Sequence, residues 1–261
     1  MEPTLAIHLK FGLHLVDEPL VASSVAEILS RPCFRVLERL YARVNGQRTY
    51  HSEPSVLAIA RHLTNSFVDG ARLDAKEGRE FVALCEIENG TRIREMMPPS
   101  IRYAAMLAIP FVEGEVDEVV SAACDLAVCL QAGNGYIALE PRFGWAYEIA
   151  LGRSRPRERP GVSVQRFQER RGRSSYDDRL GTELGGLEWG TFLGGGHLAR
   201  IDMEPVRASG VFARIVQLGP ELVYLQVTEH AADDLTNDLE ERLVEARKVL
   251  APVLMRVAHI A

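Results

Sequence analysis

The chain has 261 residues, 47% hydrophobic and 25% charged, with a formal net charge of −6. This is a globular mix that can bury a core without metals or disulfides, and its acidic balance argues against a nucleic-acid binder, whose surface is usually basic. The length allows a single α+β domain over 1–261, or an N-terminal half 1–150 and a C-terminal half 176–261 joined by a basic loop 152–175.

The start, Met1-Glu2-Pro3-Thr4-Leu5, has no basic region followed by an apolar run, so no signal peptide is expected. No apolar run approaches the length of a membrane span, and a cytoplasmic location follows as the expectation. Leu5, Ile7, Leu9, Phe11, Leu13 and Leu15 alternate with polar or small residues, which predicts a strand with one buried face and His8 and His14 on the wet face. Pro19 can open a helix to Ser30. Pro32 opens a second, with Cys33, Val36, Leu37, Leu40, Tyr41 and Val44 at helical spacing and Asn45-Gly46 as its stop. Ser52 and Pro54 introduce a third, with Val56, Leu57, Ala60, Leu63 and Phe67 on one side.

Period two then returns. Phe81 to Ile87, a turn at Asn89-Gly90 and Thr91 to Met96 read as a hairpin. After Pro98-Pro99, Ile101 to Phe111 reads as a strand, and Val116 to Gln131 as a helix stopped by Gly133-Asn134-Gly135. Between Gly152 and Ser175 eight arginines sit among prolines and glycines with few apolar residues, which predicts an exposed loop. Pro205 to Ser209 reads as a short helix. Phe212 to Val216 and Leu222 to Val227 form a hairpin around Gly219-Pro220, and Asp233 or Thr236 caps a terminal helix carrying Leu239, Leu243, Ala246, Val249 and Leu250. The resulting order is β-α-α-α-β-β-β-α, the basic loop, then β-β-α. It implies an α+β fold with a mixed, mainly antiparallel sheet and helices on one face, with two related halves also allowed.

Little in the sequence reads as chemistry. Cys33, Cys85, Cys124 and Cys129 form no CxxC pair and read as buried thiols of a reducing compartment. Gly194-Gly195-Gly196-His197 resembles an oxyanion or phosphate loop, but no P-loop Lys-Ser/Thr follows, so a tight turn is the simpler reading. Glu229-His230 with Asp233 and Asp234 falls short of a convergent metal-ligand set and suits a helix N-terminus. Glu86 and Glu88 suit the polar face of a hairpin better than an acid–base pair. No catalytic, metal or cofactor residues are assigned.

Three stretches stand in order: Gly135-Tyr136-Ile137-Ala138-Leu139; Gly186-Leu187-Glu188-Trp189-Gly190-Thr191-Phe192-Leu193-Gly194; and Val223-Tyr224-Leu225-Gln226-Val227-Thr228-Glu229 with Asp233-Asp234 and a helix ending Leu250-Ala251-Pro252. Together they resemble the bacterial type VI immunity family, which includes immunity proteins for VRR-Nuc effectors. The chain departs from that pattern at Arg200-Ile201-Asp202-Met203, and keeps only Asp233, Asp234 and Asn237 of a Gly-Asp-x-Asn stretch. The resemblance implies a non-enzymatic protein that binds and neutralises a cognate secreted toxin, such as a nuclease, in the cytoplasm of the producing cell, with no cofactor and no membrane partner. A homodimer is compatible with the sequence. The expected toxin contacts are the acidic residues Glu113, Glu115, Asp117 and Glu118, with Tyr176, Asp177 and Asp178 beside the basic loop. Two other readings stay open: an enzyme using Gly194 to Gly196, His197, Trp189 and Glu188, and a regulatory nucleic-acid binder using the arginine loop.

Overall fold

A computed structural model describes residues 3–15, 17–34, 39–44, 47–52, 55–66, 71–74, 81–86, 101–140 and 178–255. The fold is α+β. Among the described residues ten strands form one antiparallel sheet in the order β3-β2-β4-β5-β6-β1-β7-β8-β10-β9. They are β1 (Thr4–Phe11), β2 (Arg39–Val44), β3 (Gln47–Ser52), β4 (Ala71–Asp74), β5 (Phe81–Glu86), β6 (Tyr103–Pro110), β7 (Asn134–Glu140), β8 (Gly190–Gly194), β9 (Arg214–Gly219) and β10 (Leu222–Gln226). The helices are α1 (Pro19–Leu29), α2 (Val56–Ser66), α3 (Val116–Cys129), the single turn α4 (Gly195–Leu198), α5 (Met203–Ala208) and α6 (Asn237–Val249).

The alternation read in the first segment places β1 near the middle of the sheet. Leu5, Ile7, Leu9 and Phe11 are all buried, and β1 pairs with β6 on one side and β7 on the other. Because β6 and β7 are both antiparallel to β1, they run parallel to each other, and α3 connects them across it. The second half repeats this device. There β8 and β9 are both antiparallel to β10, and α4 and α5 connect them. Pairing of β7 with β8 joins the halves, and one hydrophobic cluster runs from Leu5 to Val253. α3 touches α1 on one side and reaches β9 on the other.

Several expectations need correction. The helix expected from Pro32 to Val44 is a 3-10 turn, Pro32–Phe34, followed by the hairpin β2-β3. Val44 pairs with Gln47, and the helix stop expected at Asn45-Gly46 lies outside the described residues. β4 was not expected at all. β7 was hidden behind the glycines taken as a helix stop. α3 instead ends two residues earlier in a Schellman motif: Ala132 N–H donates to Ala127 O at 2.9 Å and Gln131 N–H to Val128 O at 3.1 Å. Gln131 takes the left-handed conformation there, with φ of 50°. α2 occurs where expected, with the Ser55 hydroxyl accepting the Ala58 N–H at 3.2 Å, but its buried residues are Ile59, Ala60 and Leu63 while Leu57 faces out. Phe67, Asn89-Gly90, Thr91 to Met96 and the arginine loop lie outside the described residues.

Candidate functional site: an acidic end of the sheet

The strand register fixes which side chains share an end of the sheet. Thr4 of β1 is level with Pro110 of β6 and Glu140 of β7, and Gln226 of β10 is level with Arg214 of β9 and Gly190 of β8. Gly190 is level with Ile137, three residues short of Glu140, so both sets lie toward the same end of the sheet. The turn Glu113–Glu115 leads into α3, whose first turn carries Asp117 and Glu118. These acids face the partial positive charge of the helix N-terminus. Glu113, Asp117 and Glu118 are exposed, and Glu115 is half-buried.

Beside them lies an open groove of about 780 Å³ between residues 210–213 before β9, residues 227–233 after β10, and one face of α6. Glu229, Asp233, Asp238, Glu241 and Glu245 line it, with Arg242 and His230 as its cationic or titratable partners. Arg214 sits between the two acidic groups, its guanidinium 3.8 Å from the Asp117 carboxylate. Asp117 is 98% exposed, so this pair adds little stability; it orients charge at the surface. Two acidic groups thus lie toward one end of the sheet, four residues named from sequence and five lining the groove. The sequence signal for the second group was the 229–245 run of acids, read there only as a helix N-terminus.

Of the other expected contacts, Asp178 opens the 3-10 turn Asp178–Gly181, and Tyr176 and Asp177 lie outside the described residues.

The glycine run is explained by packing. A Cβ on Gly194 would sit 2.3 Å from the Gly133 carbonyl oxygen, and one on Gly196 would sit 2.2 Å from that of Gly181. Backbones approach here more closely than any side chain allows. An open groove of about 760 Å³ passes over Gly195 and Gly196, but His197 lies behind this floor and is fully buried. Burial pushes its pKa down to about 4, so the ring is neutral near pH 7. Neither ring nitrogen makes a hydrogen bond of normal geometry, although backbone groups of Glu183, Gly133 and Gly194 lie close enough to offset part of the desolvation.

Glu188 and Trp189 precede β8 whereas His197 follows it, so the strand's length, about 13 Å, separates them. Trp189 donates its indole N–H to the Thr228 carbonyl at 3.0 Å, a core role. His8 packs edge-on against Tyr136 at 5.3 Å. His14 lies past the strand, bonded to Asp17 at 2.7 Å and stacked on Tyr103. Among the described residues no group of His, Cys, Asp and Glu could hold a metal ion, and no helix is long and apolar enough to cross a membrane. Cys33 and Cys124 are buried free thiols, and burial pushes Cys124 up to about 12.

Sequence reasoning also missed a buried carboxylate. β8 pairs with β7 only from Asn134 to Ile137, so the next outward-facing N–H of β7 needs another acceptor. Asp234, fully buried in the turn Ala231–Leu235, supplies it, accepting the Leu139 N–H at 2.5 Å. This bond locks the turn that shapes the acidic groove onto the central sheet.

No family model matches the chain, and no curated protein sequence matches it. Among solved structures it is similar in fold to the Pseudomonas aeruginosa T6SS protein PA0821. The TM-score is 0.62 at 16% sequence identity, covering 97% of this chain and 73% of that one.

Proposed function

We propose that this chain is an immunity protein that binds a cognate toxin of the type VI or a related secreted system and occludes it in the cytoplasm of the producing cell. The observation that carries this reading is the acidic end: nine carboxylates toward one end of the sheet, five of them lining a groove of about 780 Å³. Like charges held together favour a partner that brings positive charge. Such a partner is steered in quickly at low salt. A toxin that handles nucleic acid has such a surface. The likeness in fold to a protein titled as belonging to a type VI system supports the same reading, as do the three ordered stretches that resemble the immunity family. In this reading the protein acts by binding and performs no reaction.

The test is survival of cells expressing the neighbouring toxin-like gene with and without this protein, followed by co-purification of the pair. Rescue with a stable complex, formed more slowly as salt rises, is the expected result. Absence of both rescue and complex overturns the proposal.

A further inference from the structure

Among the described residues the sheet ends at β9, which is paired on one side only. In an antiparallel strand alternate residues turn their N–H and C=O groups away from the neighbour. Among the described residues the Gly219 carbonyl, which accepts from the Gln217 side chain, is the one backbone group of Arg214–Gly219 bonded outside the ladder to β10. The edge has little of the usual protection beyond the charge of Arg214 and one bulge. β9 contains no proline and no lysine, and its bulge, where Leu218 has no partner on β10, is confined to the turn end. Ile215, Val216 and Leu218 are only half-buried, whereas Leu225 and Tyr224, the partners of Ile215 and Val216 on β10, are fully buried. The Gln217 side chain folds back onto the Gly219 carbonyl at 2.5 Å and receives Arg207 at 3.0 Å, so it caps its own turn and leaves the edge open.

What could cover this edge is decided by charge. The strand starts at Arg214, directly after residues 210–213, which form one wall of the acidic groove. An extended segment laid along β9 would therefore run on into carboxylates. A second copy of this chain, itself at −6, gains nothing from that arrangement. We propose that β9 is a docking edge for an extended, basic segment of a partner protein, which adds a further strand to the sheet and places its positive end in the acidic groove. Main-chain bonds would supply affinity and the groove would supply direction. This rests on the immunity reading for the partner's identity, but the edge can be tested without it.

The probes are two decapeptides, one alternating lysine with valine and one alternating glutamate with valine, added to the full-length protein while backbone amide exchange is followed by NMR. The lysine peptide is expected to slow alternate amides of Arg214–Gly219 at least tenfold at low salt, with the effect lost at high salt, and the glutamate peptide to do nothing. No slowing in β9, or equal slowing by both peptides, overturns the proposal. So does a β9 already protected in a dimer seen by sedimentation without peptide. A second arm separates the two readings in cells. Proline is placed singly at the consecutive positions Ile215 and Val216, and the variant that keeps its melting temperature has lost an outward N–H. Where wild type rescues, that variant is expected to lose rescue. Full rescue by it overturns the docking edge and leaves the immunity reading standing. Failure of wild type to rescue refutes the immunity reading and leaves the peptide exchange to decide the edge.

Discussion

His197 makes the stability of this protein depend on pH in a way that one substitution removes. Its ring is fully buried with neither nitrogen normally bonded, and its pKa lies at about 4 against an ordinary value of 6.5. The unfolded chain therefore takes up a proton at this residue at higher pH than the folded chain does. The stability this residue contributes is whole above about pH 6.5 and falls as pH drops towards 4. By linkage the loss at about pH 5 is about 2 kcal/mol, rising to about 3 kcal/mol well below pH 4. Replacing the ring with an apolar group of similar volume, His197→Leu, removes the titration. The assay is urea unfolding of both proteins at pH values from about 8 to about 5. Other groups titrate in the same range in both proteins, so the difference between them isolates the imidazole. The variant is expected to be as stable as wild type or more so at about pH 8, because two unsatisfied nitrogens are gone. It should lose about 2 kcal/mol less than wild type on going to about pH 5. Equal slopes would mean that His197 is solvated or well bonded in solution, and the packing account of the glycine floor would fail with it.

The glycine positions give a graded set: Gly194→Ala and Gly196→Ala force a methyl into backbone oxygens and should each cost about 1–3 kcal/mol, whereas Gly114→Ala, with nothing within 4 Å, should change thermal stability little. Asp234→Ala removes the carboxylate that accepts the buried Leu139 N–H and should cost about 1–3 kcal/mol in denaturant unfolding, with Asp234→Asn milder because an acceptor remains. Thr236 caps α6 by accepting the Asp238 N–H at 3.2 Å, so Thr236→Ala should cost about 1 kcal/mol, read as a lowered melting temperature. Charge reversal at the exposed groove residues, Glu241→Lys with Glu245→Lys, should leave the melting temperature unchanged while slowing association with a toxin partner and flattening its salt dependence, measured by surface plasmon resonance.

Local chemistry made much of the fold legible. The period of two in β1 and β6, the helical spacing of α1 and α3, the Gly219-Pro220 hairpin and the Thr236 cap all act within a few residues, and each appears where the sequence places it. The errors fell where one local signal serves two structures. Leu40, Tyr41 and Val44 fit helical spacing, and only pairing of Arg39–Val44 with two other strands selected β2. Gly135 reads as a break, yet it sits in a central strand because a Cβ there would lie 2.6 Å from the His8 carbonyl oxygen.

The candidate site divides in the same way. The sequence by itself determined the acidic balance, the four acids at the start of α3 and the run of acids from 229 to 245. It could not place the two groups together, because they are about a hundred residues apart and meet only through strand order. β9 and β10 return to the end of the sheet where β6 stops, and that ordering depends on long-range pairing. Neither the free edge of β9 nor the burial of His197 and Asp234 is written in their neighbours along the chain. Each depends on which backbone reaches a given hydrogen-bonding group in the folded protein, and tertiary structure alone decides that.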